Sequence, residues 1–177
     1  GNVLSAGVGQ APARQAAVFS GLPKSVECMT INKVCGSGLK AVMLAAQAIA
    51  LDDAETIVAG GMESMSNAPY LLDKARSGYK MGNAELVDGM MKDGLIDAYN
   101  NTLMGNAAEL CARECNVPRE AQDEFAILSY TRAQESQKSG RFAKEIVGVE
   151  VDGAKGEDVS DAVAHCTGTD DSDGFDI

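Results

Sequence analysis

The sequence predicts an α/β protein with a parallel component, and three observations carry that prediction. Residues 26–34 and 56–59 are short apolar runs of β type bounded by turn residues. A helical stretch over residues 11–20 precedes the first run, and another over 36–50 separates the two. Helix, strand, helix, strand with apolar β runs is the order of a parallel sheet that needs cover on both faces. Two strands and two helices are too few to close such a sheet. From residue 60 the texture changes to an irregular, Gly-, Asn-, Asp- and Met-rich region followed by helices.

Each element has a local reason. Residues 1–10 form a Gly-rich connection, after which Pro12 suits a first helical position and Gly21 with Pro23 stops that helix. The helix over 36–50 is apolar almost all round: Leu39, Val42, Met43, Leu44 and Ile49 alternate with alanines, and its interior polar residues Lys40 and Gln47 share one stripe. That pattern predicts a helix buried on most of its circumference. Six of the eight methionines fall within residues 60–106, where flexible thioethers suit an apolar guest or fill gaps in irregular chain. Residues 104–115 read as a helix. The next helix, over 118–139, has Pro118 at its start, Glu120, Asp123 and Glu124 in its early turns, and Gly140 as its stop. Phe125 and Leu128 mark one of its faces. Residues 145–151 alternate as a strand does. From 152 onward Gly, Asp, Ser and Thr dominate, the composition of a disordered acidic tail.

Composition narrows the classes of function. The net charge of −11 argues against a nucleic-acid surface, which needs clustered Lys and Arg. An anionic ligand would have to be held by local basic groups or helix N-termini. No run has the length to cross a bilayer, and the opening residues carry no signal or transit pattern. Neither a nucleic acid nor a membrane is therefore expected as a partner. Five cysteines, Cys28, Cys35, Cys111, Cys115 and Cys166, are an odd number without a framework spacing, which fits reduced thiols in a cytoplasmic setting. Cys111 and Cys115 lie one helical turn apart, but there is no Cys-x-x-Cys and the one His is remote, so no metal site is expected. His165-Cys166 sits in the acidic tail and reads as incidental.

Cys35 stands apart. A cysteine in an apolar α/β chain is most often a small buried hydrophobe. This one lies at a strand-to-helix corner, followed by Gly36 and Gly38, where ligand or backbone can approach closely. Unpaired N–H groups and the positive end of the dipole at a helix start favour thiolate over thiol, and thiolate is the nucleophile.

The block Asn32-Lys-Val-Cys-Gly-Ser-Gly-Leu-Lys-Ala41 resembles the nucleophile motif of the thiolases, the acetyl-CoA acetyltransferases in particular. Further blocks match in family order: Gly7-Val-Gly-Gln-Ala-Pro-Ala-Arg-Gln-Ala16, Ala59-Gly-Gly-Met-Glu-Ser-Met-Ser66, Lys92-Asp-Gly-Leu95, Met104-Gly-Asn-Ala-Ala-Glu109 and Arg119-Glu-Ala-Gln-Asp-Glu-Phe-Ala126. The resemblance covers residues 1 to about 151. It implies a partial thiolase-like fold: part of the N-terminal βαβα core with the nucleophile over 1–60, a mainly helical loop domain over 61–151, and a non-matching tail over 152–177.

By the same resemblance, Cys35 would take an acyl group from a thioester, its backbone N–H serving as an oxyanion donor. Leu95 and Met104 would line the pocket for the pantetheine arm. Leu103 replaces a His common before the Met-Gly pair in acetoacetyl-CoA thiolases. Glu63 and Asp93 lie in matching blocks and read as structural. The implied reaction is Claisen condensation of two acetyl-CoA to acetoacetyl-CoA and the reverse thiolysis. Coenzyme A enters as substrate and product, and no permanently bound cofactor is implied. The family's catalytic His and second Cys belong to a C-terminal half that these 177 residues do not contain. Two alternatives stand beside this: a longer-chain 3-ketoacyl-CoA thiolase, and a truncated non-catalytic fragment that binds coenzyme A or dimerises. The resemblance also implies acyl-CoA as partner and a homodimer or homotetramer paired along residues 56–59. The compartment expected from the reduced-thiol pattern is the cytoplasm, or the mitochondrial matrix if a targeting segment is missing.

Overall fold

The computed structural model describes residues 1–148. The tail, His165 and Cys166 lie outside the described residues, as does most of the strand expected over 145–151; its described part, 145–148, is not a strand. The chain divides into two units, Gly1–Ala108 and a second that begins at Glu109.

The first unit opens on a segment that much of the unit is tied to. The amino group of Gly1 donates to the Gly60 carbonyl at 2.9 Å, and Met62 N donates to the Gly1 carbonyl at 3.0 Å. One residue bonding to both neighbours of its partner is the form of a parallel ladder. Asn2 N bonds Ile31 O at 3.1 Å, so residues 1–2 connect to both of the other segments. Glu63 fastens the crossing: its carboxylate accepts from Val3 N at 2.9 Å, Leu4 N at 2.9 Å and Asn2 Nδ2 at 3.1 Å. Leu4 is the buried hydrophobic side chain among the described residues, and it packs against Gly94.

Helix α1 (Pro12–Phe19) begins with proline at its first position and ends before Gly21 at φ +86°. Its polar side chains hold the flanking chain. Arg14 donates to the carbonyls of Lys24 at 2.7 Å and Val26 at 2.8 Å, and Gln15 donates to those of Val8 and Gln10. Helix α2 (Ser37–Ala50) follows the corner that carries Cys35. A short antiparallel pair, β1 (Tyr70–Leu71) and β2 (Val87–Asp88), then leads into a helical turn that widens to π form over Met91–Leu95. Asp88 Oδ1 accepts from Met90 N at 2.8 Å, capping that turn. Helix α3 (Met104–Glu114) contains the division between the units. In the second unit α4 (Arg119–Lys138) follows Pro118, and Arg119 pairs with Asp123 at 2.7 Å on its exposed first turns.

The fold is a partial α/β arrangement, with three corrections to the sequence expectations. Residues 26–34 do not form a strand, because a strand exists only as part of a ladder and this stretch finds a single backbone bond to Asn2. Residues 56–59 do not form one either; the parallel pairing falls just beyond, at 60–62. Helix α2 is not buried round its circumference: Leu39 is 69% exposed, and Val42, Met43 and Ile49 are exposed too. Its apolar sequence describes a surface that needs cover, and no described element supplies it.

Candidate active site

The corner before α2 is built by a small closed set of hydrogen bonds. Ser37, only 4% exposed, accepts from Lys33 N at 2.8 Å and donates to Val34 O at 2.6 Å through the same hydroxyl. Asn32 Oδ1 accepts from Val34 N at 2.9 Å, and Gly36 N and Ser37 N bond back to the carbonyls of Lys33 and Val34. These bonds hold Val34 at φ +47°, a conformation that β-branched residues avoid. Cys35 follows directly, exposed and unpaired with any other cysteine, one residue ahead of the cap position Gly36. No side chain caps α2; Ser37 N, its first amide, is taken up by the Val34 carbonyl, and no side chain caps the amides of Gly38 and Leu39 that follow.

Gly38, in the first turn of α2, lies against Gly61. A Cβ on Gly61 would stand 3.1 Å from Gly38 Cα, and one on Gly38 would stand 3.5 Å from Gly61 Cα. Two glycines thus bring the helix start against the segment that Glu63 anchors; a side chain on Gly61 would press on the helix start, whereas one on Gly38 would begin at an ordinary contact distance.

Between these pieces is a cavity of about 390 Å³. Val34, Cys35, Ser37 and Gly38 form one wall; Gly61, Met62, Glu63 and Met65 form the next; and Met90, Gly94 and Leu95 close it from the π turn. It is open to solvent, and its lining is mostly apolar, as small-molecule sites are. The structure therefore brings Cys35 and Leu95 together on one cavity. Leu103 is not on its wall but is close to it in the chain path, because its backbone bridges to Ile96, the neighbour of Leu95. Asp97 N donates to Thr102 O at 2.8 Å and closes the same loop. Met104 opens α3, exposed and off the lining.

Three lining residues were not singled out individually from the sequence: Met62, Met65 and Met90. Their signal was the methionine excess of the region, which marks a flexible apolar surface without saying which thioethers share it. Ser37 was missed outright, since a serine beside two glycines carries no sign of burial. Glu63 and Asp93 were read as structural. Glu63 holds residues 2–4 in the way that reading expects, with a face on the cavity as well.

The chain matches the thiolase N-terminal domain over residues 1–170. It is 58% identical over 157 residues to the acetyl-CoA acetyltransferase of Schizosaccharomyces pombe, covering 89% of this chain and 40% of that protein. It is also 58% identical over 160 residues to the acetyl-CoA acetyltransferase of Cupriavidus necator, covering 90% of this chain and 41% of that one. Among solved structures, the Acat5 thiolase from Ascaris suum in complex with coenzyme A superposes with a TM-score of 0.78 at 46% identity, over 85% of this chain and 39% of that chain. The chain thus spans about 40% of the length of the curated relatives it matches. With its motifs in order, its backbone superposing and its cysteine corner on a cavity, this chain belongs to the thiolase N-terminal domain family.

Proposed function

We propose that this chain is the nucleophile-bearing portion of a thiolase that exchanges acetyl groups between thioesters of coenzyme A. The observation that supports the reading best is the position of Cys35, exposed on the cavity at the uncapped start of α2. The Cys35 sulfur attacks the thioester carbonyl, and a tetrahedral oxyanion forms within reach of the amides at the α2 start. Collapse expels the thiol of coenzyme A and leaves an acyl-cysteine. Attacking and leaving sulfurs have similar basicity, so little driving force is lost in either direction. Leu95 and the methionines of the cavity take the apolar part of the pantetheine arm; Leu103 and Met104, off the cavity wall, are assigned to it by the family motif alone.

In the complete cycle, the enolate of a second acetyl-CoA attacks the acyl-cysteine to give acetoacetyl-CoA, and thiolysis is the reverse. Enolate formation needs a base at the α-carbon and a second oxyanion site. None of the matching blocks of this chain supplies them, so the half-reaction at Cys35 is the part assigned to these residues. Acyl-CoA is the small-molecule partner, and pairing with a second copy is part of the same proposal. No helix among the described residues is long and apolar enough to cross a membrane. A cytoplasmic setting is proposed from the reduced-thiol pattern; a Gibberella zeae relative carries "cytosolic" in its name.

The test is direct. Incubation of the purified chain with acetyl-CoA should add one acetyl group by intact mass, and Cys35→Ser should remove the adduct. An adduct that persists in Cys35→Ser, or no adduct in the parent chain, overturns the assignment. Leu103 favours a second reading, a longer-chain 3-ketoacyl-CoA thiolase, because an apolar residue stands where short-chain members commonly carry His. Rising kcat/KM with acyl length in the complete enzyme would select it, and a maximum at acetoacetyl-CoA would reject it.

A further inference from the structure

Away from the Cys35 cavity, α3 carries a second pair of sulfurs. Cys111 lies in the helix and Cys115 follows its last residue, four positions on, so both side chains leave one face a turn apart. Cys115 N still bonds Cys111 O at 2.9 Å, which continues the helical spacing through the pair. The sulfurs are 4.0 Å apart, and both cysteines are free and exposed.

We propose that Cys111 and Cys115 form a two-thiolate site for a soft monovalent cation of the Cu(I) class, with a third coordination position open to a small exogenous thiol. Geometry separates this from the two obvious alternatives. Helical i, i+4 Cβ atoms are about 5–6 Å apart, whereas a relaxed disulfide holds them at about 3.8 Å, so oxidation would distort the helix end. Structural zinc takes four ligands, and among the described residues no group of three or more His, Cys, Asp and Glu side chains converges to hold a metal. With metal–sulfur bonds of about 2.3 Å, as for zinc thiolate, a 4.0 Å sulfur separation subtends about 120° at the metal. That is the angle of a trigonal centre, and soft thiolate donors select Cu(I).

Binding forms two sulfur–copper bonds, releases the two thiol protons to water and moves no electron. The acidic chain favours approach of a cation, and both cysteines are exposed among the described residues.

The test presents Cu(I) anaerobically as its bathocuproine disulfonate complex. The chain should withdraw one Cu(I), read as loss of the complex's visible absorbance. Cys111→Ser and Cys115→Ser should each abolish the transfer with helical circular dichroism unchanged, while Cys28→Ser retains it. A second measurement needs no variant: bound Cu(I) should protect Cys111 and Cys115, and not Cys28, from iodoacetamide in peptide mapping. No withdrawal by the parent chain, equal withdrawal by the serine variants, or unprotected Cys111 and Cys115 would overturn the proposal.

Discussion

Val34 at φ +47° is held in place by its neighbours. A conformation of this sort costs about 1–3 kcal/mol and persists only where surrounding contacts determine it. Here the contacts are the Ser37 hydroxyl, bonded to Lys33 N and Val34 O, and the Asn32 side chain on Val34 N. Ser37→Ala should therefore cost about 0.5–1.5 kcal/mol, the net contribution of a typical intramolecular hydrogen bond, because Lys33 and Val34 are exposed and the Val34 carbonyl keeps its bond from Ser37 N. It should also slow acetylation of Cys35, and Ser37→Thr should restore much of the rate. Adding Val34→Gly to Ser37→Ala should recover part of both losses, because glycine adopts positive φ without strain. Acetylation at the parent rate in Ser37→Ala would show that the corner does not depend on this hydroxyl. The sequence pointed to Cys35 through its glycines, but the brace was not legible: what makes Ser37 matter is its burial, which is a property of the packed corner.

The loop between the π turn and α3 is an element whose order follows pH. The Asp97 carboxylate is held below its usual range, first by the Asn100 backbone N–H and then by the Asn100 side-chain amide, at 2.8 and 2.7 Å. A carboxyl whose folded value lies below its unfolded one contributes order that is fully present above the unfolded value. That contribution is lost as pH falls through the folded value. The Asn100 amide shift in an NMR titration should thus move with a midpoint below 3.8, the ordinary carboxyl value, and Asp97→Ala should abolish the movement. A midpoint at or above that value would refute the capping account. The pair Lys92–Asp73, at 3.0 Å and half exposed on both sides, should contribute about 0–1 kcal/mol when broken by Asp73→Ala, measured by denaturant unfolding.

Helix boundaries were legible at this scale: Pro12, Pro118, Gly21 and Gly140 mark ends that the structure places within a residue or two. Strands were not. A helix satisfies its own backbone, so punctuation residues decide its limits, whereas a strand needs a partner that local sequence does not name.

At the scale of the molecule, much apolar surface is left uncovered within the described residues. Leu39, Val42, Met43 and Ile49 face outward on α2, and Phe125, Ile127, Leu128 and Tyr130 on α4. Surfaces of this kind mark places where further protein packs. The chain in isolation is therefore expected to self-associate, giving a broad, concentration-dependent distribution in light scattering. Monodisperse monomer at all concentrations would contradict that expectation. The family and α/β class and the helix limits came from the sequence alone, as did the proposal that Cys35 is the nucleophile, because motifs and helix signals are local in the chain. Tertiary structure decided that Cys35 and Leu95 share a cavity, that Glu63 ties residues 2–4 to the second glycine segment, and that the apolar face of α2 is exposed. Those are relations between segments some sixty residues apart, set by packing and hydrogen bonds that no single stretch encodes.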